Sequence, residues 1–327
     1  MFHQLPYYTW GTVLTSTSKK RGPLSYTQSA LSAWLIETLP GLWYLFISLS
    51  VYEGATSLGG PLTPNLFSKG KIMPKLTPQP VILTILAIVF VPAASAHMHL
   101  MVPSTDMAAP GGTVEFEIMY THPMTGGPVI NMDAPERFGL LLDGEEIDLT
   151  GALETTEVDE RQAFTAEYEI AEPGAHVFFL DTAPREGHGG VVSQYHLKVV
   201  VDSLGAHSGW DASVGAPLEI DPLSRPYGLW TGNLFRGVVR HKGEPVSGAL
   251  VTIEHNNVDG VELPGDAFMG QVVKTDANGV FAYTIPCAGW WGFSVTLEGD
   301  EEVENSQGDM VPMRHGAIMW VHAHEME

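Results

Sequence analysis

The sequence has a single cysteine, Cys287, among its 327 residues. One cysteine excludes an intrachain disulfide and argues against a metal site built from thiolates. Basic residues are also scarce, with 16 Lys and Arg against 38 Asp and Glu, so the formal net charge is -22. Such an acidic surface repels nucleic-acid phosphates and anionic lipid, and it attracts cations. We therefore expect no nucleic-acid partner.

The common signatures of enzymes are also missing. The sequence contains no nucleophile elbow, phosphate-binding loop, HExxH zinc motif or dinucleotide fingerprint. Its many carboxylates show no recognisable arrangement for acid–base catalysis. We therefore expect a protein without enzymatic activity.

Long hydrophobic runs are absent, and the apolar run "VILTILAIVFV" at 81–91 is too short to span a bilayer comfortably. Lys71 and Lys75 lie before it, and Ala94-Ser95-Ala96 follows it. A basic stretch, a short apolar core and small residues at an A-x-A site are the three parts of a secretory signal. We predict a signal peptide over 73–96, cleavage after Ala96, and a periplasmic protein with no covalent lipid anchor.

Residues 1–72 show no periodic pattern that organises them. We expect translation to begin at Met73, which makes 1–72 upstream sequence or a disordered leader. The alternative is a membrane-seeking leader around "LWYLFISLSV" (42–51), although Glu37 and Pro40 interrupt any longer apolar span.

From residue 97 onward the hydrophobic pattern has period two, with turn signals every eight to twelve residues. Alternation of this kind is typical of antiparallel sandwiches. Turns are predicted at Asp143-Gly144, at Lys242-Gly243 and at Asn278-Gly279, the last within a hairpin over 274–286. We predict an all-β protein of two tandem immunoglobulin-like or transthyretin-like antiparallel β-sandwich domains. The predicted boundaries are 97–202 for the N-terminal sandwich, 203–235 for an extended connector and 236–327 for the C-terminal sandwich.

Cleavage after Ala96 would leave a mature chain that begins His97-Met98-His99. In one binding mode the free amine, two backbone amides and the His99 ring surround a Ni(II) or Cu(II) ion in a plane. In a second mode His97 chelates through its amine and its own ring, and distant histidines complete the site. Both modes need the freed amine, which loses its proton readily near neutral pH. A solvated chain end without a metal is the alternative.

Other histidines are candidates of lower weight. His122 and His196 lie near strand ends, where a rigid sheet can present ligands at its rim, although structural roles are common for lone histidines. His188 lies in a glycine-rich loop. His322 and His324 form an i, i+2 pair on one face of a predicted strand and could also bind a metal or remain solvated.

Several motifs together resemble the DUF4198 family. They are "AHMHLMVPSTDM", "YTHPMTGGPVINM", "HLKVVVD", "GWDASVGAPLEIDPLSRPYGLWTGNLFRG" and "TDANGVFAYTIPCAGWWGF". That family includes the NikK-like periplasmic components that accompany energy-coupling-factor nickel and cobalt transporters. The resemblance implies an exported two-domain β-protein that passes Ni²⁺ or Co²⁺ to a membrane-embedded permease of such a transporter. It makes His97, His122 and His196 the leading ligand candidates, with His99 as an added ligand.

Two other functions stay open at this stage. A CopC-like periplasmic copper carrier also begins with a terminal histidine on a β-sandwich, and the Irving–Williams order favours Cu²⁺ over Ni²⁺ at such nitrogen sites. A metal-free adhesive or scaffold protein is equally compatible with tandem sandwiches, because this architecture serves many functions.

Overall fold

The computed structural model describes the backbone of 28–39 and 42–52, and residues 97–205 and 207–326. No helix in this part of the chain is long and apolar enough to cross a membrane. The predicted signal peptide, 73–96, and its cleavage site lie outside the described residues.

One antiparallel pair of strands falls within the region predicted as upstream sequence. Strand β1 (Gln28–Leu39) pairs with β2 (Leu42–Tyr52), with a register shift between Glu37 and Leu39. This pair belongs to a separate unit of the chain from the one that contains the sandwich strands.

The rest of the described chain is built almost entirely of strands. They are β3 (Met98–Pro103), β4 (Thr113–Thr121), β5 (Arg137–Leu142), β6 (Glu145–Asp148), β7 (Glu154–Val158), β8 (Arg161–Glu169), β9 (Gly174–Asp181), β10 (Arg185–Glu186), β11 (Val192–Ser203), β12 (Leu218–Pro222), β13 (Leu229–Trp230), β14 (Leu234–His241), β15 (Glu244–Pro245), β16 (Leu250–His255), β17 (Gln271–Lys274), β18 (Val280–Thr284), β19 (Gly289–Glu304) and β20 (Met310–His324). Three short 3-10 turns, Thr150–Ala152, His188–Gly190 and Asp266–Phe268, are the helical elements among the described residues. The predicted all-β sandwich class is confirmed.

Three sheets make up the unit. A ten-stranded sheet runs in the order β17-β16-β19-β20-β11-β9-β5-β6, with β10 beside β11 and β13 beside β20. A four-stranded sheet, β3-β4-β8-β7, covers part of it, and a second one is formed by β12-β14-β15 with β18 beside β14. Most neighbours are antiparallel, but β11 and β20 are parallel, as are β13 and β20.

The two sandwiches share the long sheet, because successive side chains of a strand point to opposite faces. Val199 and Val201 belong to a first core that includes Phe116 and Phe178. Val200, on the same strand β11, belongs to a second core with Phe293. Strand β20 divides its residues in the same way between the two cores. The sandwiches therefore lie on opposite faces of one sheet and have common central strands.

The local turn predictions mostly match the structure. Asp143 and Gly144 adopt positive φ values of 48° and 83° and join β5 to β6. At the predicted 274–286 hairpin only Gly279 adopts a positive φ, 74°, and the flanking strands do not pair with each other. Strand β17 pairs with β16, whereas β18 pairs with β14, so the chain passes from one sheet to another at this turn. The hairpin prediction is therefore wrong, because a turn fixes a reversal but does not fix the partner strand.

The segment predicted as an extended connector also contains ordered strand. Residues Leu218–Pro222 pair antiparallel with β14 over five positions. All five are buried, without the half-buried alternation that would have marked a strand. Two of them are the acidic residues Glu219 and Asp221. Acidic residues are uncommon in buried strands, so the sequence did not indicate a strand here.

These two carboxylates form a buried ionic network with Lys198 on β11. The Lys198 ammonium lies 3.1 Å from Glu219 Oε2 and 2.8 Å from Asp221 Oδ1, and its side chain is 5% exposed. Arg240 also reaches Asp221, with its Nε 3.1 Å from Oδ2. Burial by itself raises the pKa of Glu219, but the Lys198 charge and hydrogen bonds from Val214 and Ser213 more than offset it, so the pKa is lowered. The network joins the shared sheet to the second four-stranded sheet.

Candidate metal centre

Asp106, His322 and His324 form a compact group of metal-ligating side chains, called here the Asp106 cluster. One potential ligand atom from each residue lies within 4.8 Å of the others. His324 Nε2 lies 3.0 Å from Asp106 Oδ1, and His322 Nδ1 lies 3.7 Å from the same oxygen. The two ring nitrogens are 3.2 Å apart. Two imidazoles and one carboxylate therefore converge on one small volume.

The fold holds the cluster from three directions. His322 and His324 are two residues apart on β20, so both point to the same face of the long sheet. Asp106 follows β3, and the backbone of its segment is fixed to β11 by a hydrogen bond from Asp202 N to Asp106 O of 2.8 Å. The N–H of Gly228 donates to Asp106 Oδ2 at 2.9 Å, which orients the carboxylate.

The cluster is shielded on one side and open on the other. Asp106 has a side chain that is 1% exposed, whereas those of His322 and His324 are 24% and 32% exposed. The rings of Trp290 and Trp230 lie 4.8 Å from His322 and 6.3 Å from His324. Burial lowers the pKa of His322, although the Asp106 carboxylate opposes this shift. A lowered pKa favours the neutral imidazole, which is the form that binds a metal.

Sequence reasoning identified the histidine pair but missed Asp106. Residues 97–327 hold 36 Asp and Glu, and no local pattern separates this one from the others. The one available signal is its position immediately after the first strand of the sandwich, in "MVPSTDM". The structure brings it to His324 across 218 residues of sequence.

His97 and His122 are also brought together, and they are called here the terminal pair. Their ring centroids lie 3.9 Å apart, at the start of β3 and the end of β4. His97 is exposed and His122 is partly exposed. Two adjacent imidazoles at the predicted mature terminus match the second binding mode, in which His97 chelates and a distant histidine assists.

His99 is buried away from that chelating geometry. Its ring stacks on Tyr120 at 4.1 Å, and its backbone oxygen accepts a hydrogen bond of 3.1 Å from Trp320 Nε1. Burial, followed by the positive charges of Arg185 and His97, lowers the pKa of His99 to about 3. Residues 98 and 99 already pair with β4, so the planar four-nitrogen mode would require this strand end to separate. Among the described residues, His99 Nδ1 has no hydrogen-bond partner, at a cost of about 1–3 kcal/mol.

The structure does not bring His196 to the terminal pair. Its side chain points to the other face of the long sheet from that of its neighbour Tyr195, which lies 4.8 Å from His99. His196 Nδ1 lies 2.7 Å from Asp181 Oδ1, and its Nε2 lies 3.1 Å from His315 Nδ1. This row of buried polar contacts runs from Asp181 through His196 on β11 to His315 on β20. Both ring nitrogens of His196 are therefore already engaged. His188 begins a 3-10 turn, His188–Gly190.

A buried carboxyl group lies close to the loop that follows His122. Glu254 on β16 is 6% exposed, and burial raises its pKa to about 7, although a hydrogen bond from the Met124 backbone opposes the shift. Because this pKa exceeds the ordinary value of 4.5, the folded protein binds more protons than the unfolded chain between about pH 4.5 and pH 7. Stability is therefore lost as the pH rises through that window.

We expect Glu254→Gln to remove this loss, because a neutral amide has no charge to bury. The variant should be more stable than the wild type at about pH 8 by roughly 2–3 kcal/mol, with the difference shrinking towards about pH 4. Urea unfolding of metal-free protein at both pH values measures it. A constant difference between the two proteins at all pH values would contradict the expectation.

Comparisons with known proteins add a family but no function. No curated protein matches the sequence. Among solved structures, the D0-D1 domain of intimin is 14% identical with a TM-score of 0.19, and the match covers 66% of this chain and 95% of that one. Dimeric latent PorU from Porphyromonas gingivalis is 13% identical with a TM-score of 0.20, over 71% of this chain and 21% of that one. The IG1+IG2 pair of DIP-gamma is 9% identical with a TM-score of 0.19, over 70% and 98%.

TM-scores this low do not establish a shared fold. The fold class of this chain is established by its own strand pairing. A family model matches residues 94–299, which include the Asp106 residue of the cluster and the terminal pair but not His322 and His324. The chain belongs to the family described as "Domain of unknown function (DUF4198)".

Proposed function

We propose that this protein is an exported carrier of a divalent transition-metal ion, of the Ni²⁺ or Co²⁺ class, that holds the ion at the Asp106 cluster. The observation that carries the proposal is the convergence of two imidazoles and one carboxylate within 4.8 Å. Imidazole and carboxylate are donors suited to first-row divalent ions.

The geometry of the cluster suits an ion that is released again. Metal–ligand bonds to nitrogen and oxygen are about 2.0–2.2 Å long, so ligand atoms around one ion lie about 3–4 Å apart. The separations of 3.0, 3.2 and 3.7 Å in the cluster are already of this size. Three protein donors leave further coordination positions open to water or to a receiving protein. The partly exposed histidines supply a route from solvent.

The proposal also includes the partner that receives the ion. The resemblance to the NikK-like periplasmic components supports delivery to a membrane-embedded permease of an energy-coupling-factor transporter. The acidic surface also supports a cation cargo, because it raises the local concentration of positive ions.

The proposal is tested by titrating metal-free exported protein with Ni²⁺ and with Co²⁺ while tryptophan fluorescence is recorded. Trp290 and Trp230 flank the two histidines, so we expect quenching that saturates near one equivalent. Calorimetry on the same samples checks the stoichiometry. Absence of binding by both ions would refute the Ni²⁺ or Co²⁺ carrier function and leave the copper and scaffold alternatives.

A copper carrier is the second candidate, and the contact between His97 and His122 is the observation that favours it. A freed amine next to two imidazoles gives a nitrogen-rich site that suits Cu²⁺. One alanine inserted before His97 should abolish Cu²⁺ binding at the terminal pair and leave Ni²⁺ binding at the Asp106 cluster unchanged. Loss of Ni²⁺ binding in the same variant would instead place the carried ion at the terminus.

A further inference from the structure

A cleft of about 250 Å³ opens beside the first core, where Tyr195 of the long sheet faces His99 of the β3-β4-β8-β7 sheet. It is called here the arginine cleft. Its lining combines aromatic rings, hydroxyl groups and charged groups. The residues that the argument uses are His99, Tyr120, Arg185, Ser193, Tyr195 and Arg314.

Strand register puts two arginines in one row across this cleft. Arg185 on β10 pairs with Ser193 on β11, and Ser193 pairs with Arg314 on β20. Residues paired across neighbouring strands point to the same face of a sheet. The two arginines therefore lie on either side of Ser193, on the face that forms the cleft.

This concentration of positive charge is unusual for such an acidic protein. Residues 97–327 hold only ten Lys and Arg, and two of them line this cleft. Within the described residues, Arg185 has no carboxylate in ion-pair contact; its guanidinium donates to the Asn131 carbonyl and lies 5.7 Å from the Tyr120 ring centroid. Arg314 has one loose pair, 3.8 Å from an exposed Glu298. Both guanidinium groups can therefore accept a further anion.

Acidic groups in the lining do not occupy these arginines. The carboxylate of Glu186 accepts hydrogen bonds from both the backbone and the side chain of Ser306, at 2.7 and 2.9 Å. Asp133 also lines the cleft without an ion pair to Arg185 among the described residues. A ligand that carries both charges would be compatible with these carboxylates, but the two guanidinium groups select first for an anion.

Aromatic rings form the wall beside the arginines. Tyr120 stacks on His99, and Tyr195 lies over Gly316, where an added Cβ would come within 2.2 Å of the Tyr195 ring. The side chain of His99 is buried, and its Nδ1 has no partner in the described structure. A neutral imidazole and two phenol rings give a flat, weakly polar wall, which favours a planar ligand body.

We propose that the arginine cleft binds a small organic carboxylate. Its carboxylate lies between Arg185 and Arg314 at the Ser193 hydroxyl, and its planar body lies against Tyr120 and Tyr195. Guanidinium groups hold carboxylates through charge-assisted, often bidentate hydrogen bonds. The site is separate from the Asp106 cluster, so it does not depend on the proposed metal function.

Benzoate is a suitable probe, and benzamide is its neutral control of the same shape. The full chain, in its exported form and without added metal, is titrated with each compound while amide and aromatic NMR signals are recorded. We expect benzoate to shift the signals of Tyr120 and Tyr195 and benzamide to bind about tenfold or more weakly, because it lacks the charge. Arg185→Gln should weaken benzoate binding by about tenfold or more, and Arg161→Gln, an exposed arginine outside the cleft, should not.

The alternative outcomes are distinct. The proposal is overturned if benzoate produces no shifts up to roughly 10 mM. It is also overturned if benzamide binds as tightly as benzoate, or if a folded Arg185→Gln binds benzoate as the wild type does. Arg314→Gln provides a second test from a different strand, in case Arg185→Gln does not fold.

Discussion

His324→Ala should weaken Ni²⁺ binding to this protein on the order of 100-fold or more. Replacing a residue that merely orients a metal ligand already costs about 10–100-fold in affinity, and the loss of a direct ligand costs at least as much. His324 contributes the nitrogen closest to Asp106, at 3.0 Å, and lies 3.2 Å from the His322 ring. Without it two donors remain, which is too few to compete with water for the ion. Calorimetry at about pH 7.5 measures the change directly.

The matched control is His207→Ala. His207 is exposed and lies outside the cluster, so its removal changes the number of histidines without changing the site. Asp106→Asn is a second variant, because asparagine keeps an oxygen that can accept the Gly228 hydrogen bond while it removes the negative charge. Equal Ni²⁺ affinity of His324→Ala and wild type, with both proteins folded, would rule out the Asp106 cluster as the binding site.

Lys198→Met should destabilise the protein by about 3–5 kcal/mol. Removing one partner of a buried ionic network leaves the other charges buried and uncompensated. Methionine retains most of the apolar stem of lysine but cannot pair with Glu219 and Asp221, whose side chains are 5% and 10% exposed. Arg240 still pairs with Asp221, so most of the cost falls on Glu219. Urea unfolding at neutral pH measures the loss.

Lys242→Met is the matched control, because Lys242 forms an ion pair of similar length, 2.9 Å, with Asp300. Both partners are largely exposed, so water and salt screen the attraction and no measurable loss of stability is expected. The contrast tests burial, since the distance and the residue types are nearly the same. Similar losses in the two variants would mean that the Lys198 network is not desolvated as the structure indicates.

Much of the fold could be predicted because it depends on local sequence. In "TVEFEIMY" the apolar residues Val114, Phe116 and Ile118 alternate with glutamates. All three apolar side chains are buried, and the glutamates between them are exposed. Asp143-Gly144 was predicted as a turn because these residues tolerate positive φ, and both adopt it. Local steric and hydrophobic preferences act within a few residues, so they can be identified without the rest of the chain.

The sites were only partly predictable, for a different reason. The i, i+2 spacing of His322 and His324 places both rings on one face of any strand, and this was clear from the sequence. His99 shares that spacing with His97, yet its ring is buried against Tyr120, which follows from the packing of β3 on β4. His196 was a ligand candidate by its position near a strand end, but Asp181 and His315 hold both of its nitrogens.

By itself, then, the sequence determined an all-β protein with alternating strands, glycine turns and histidine pairs at fixed spacing. Only the tertiary structure decided that β20 returns parallel to β11 and that two sandwiches share one sheet. That return brings Asp106 to His324, and Arg185 and Ser193 to Arg314. The physical reason is that the pairing of distant strands depends on how all buried surfaces fit together, and no local preference encodes that fit.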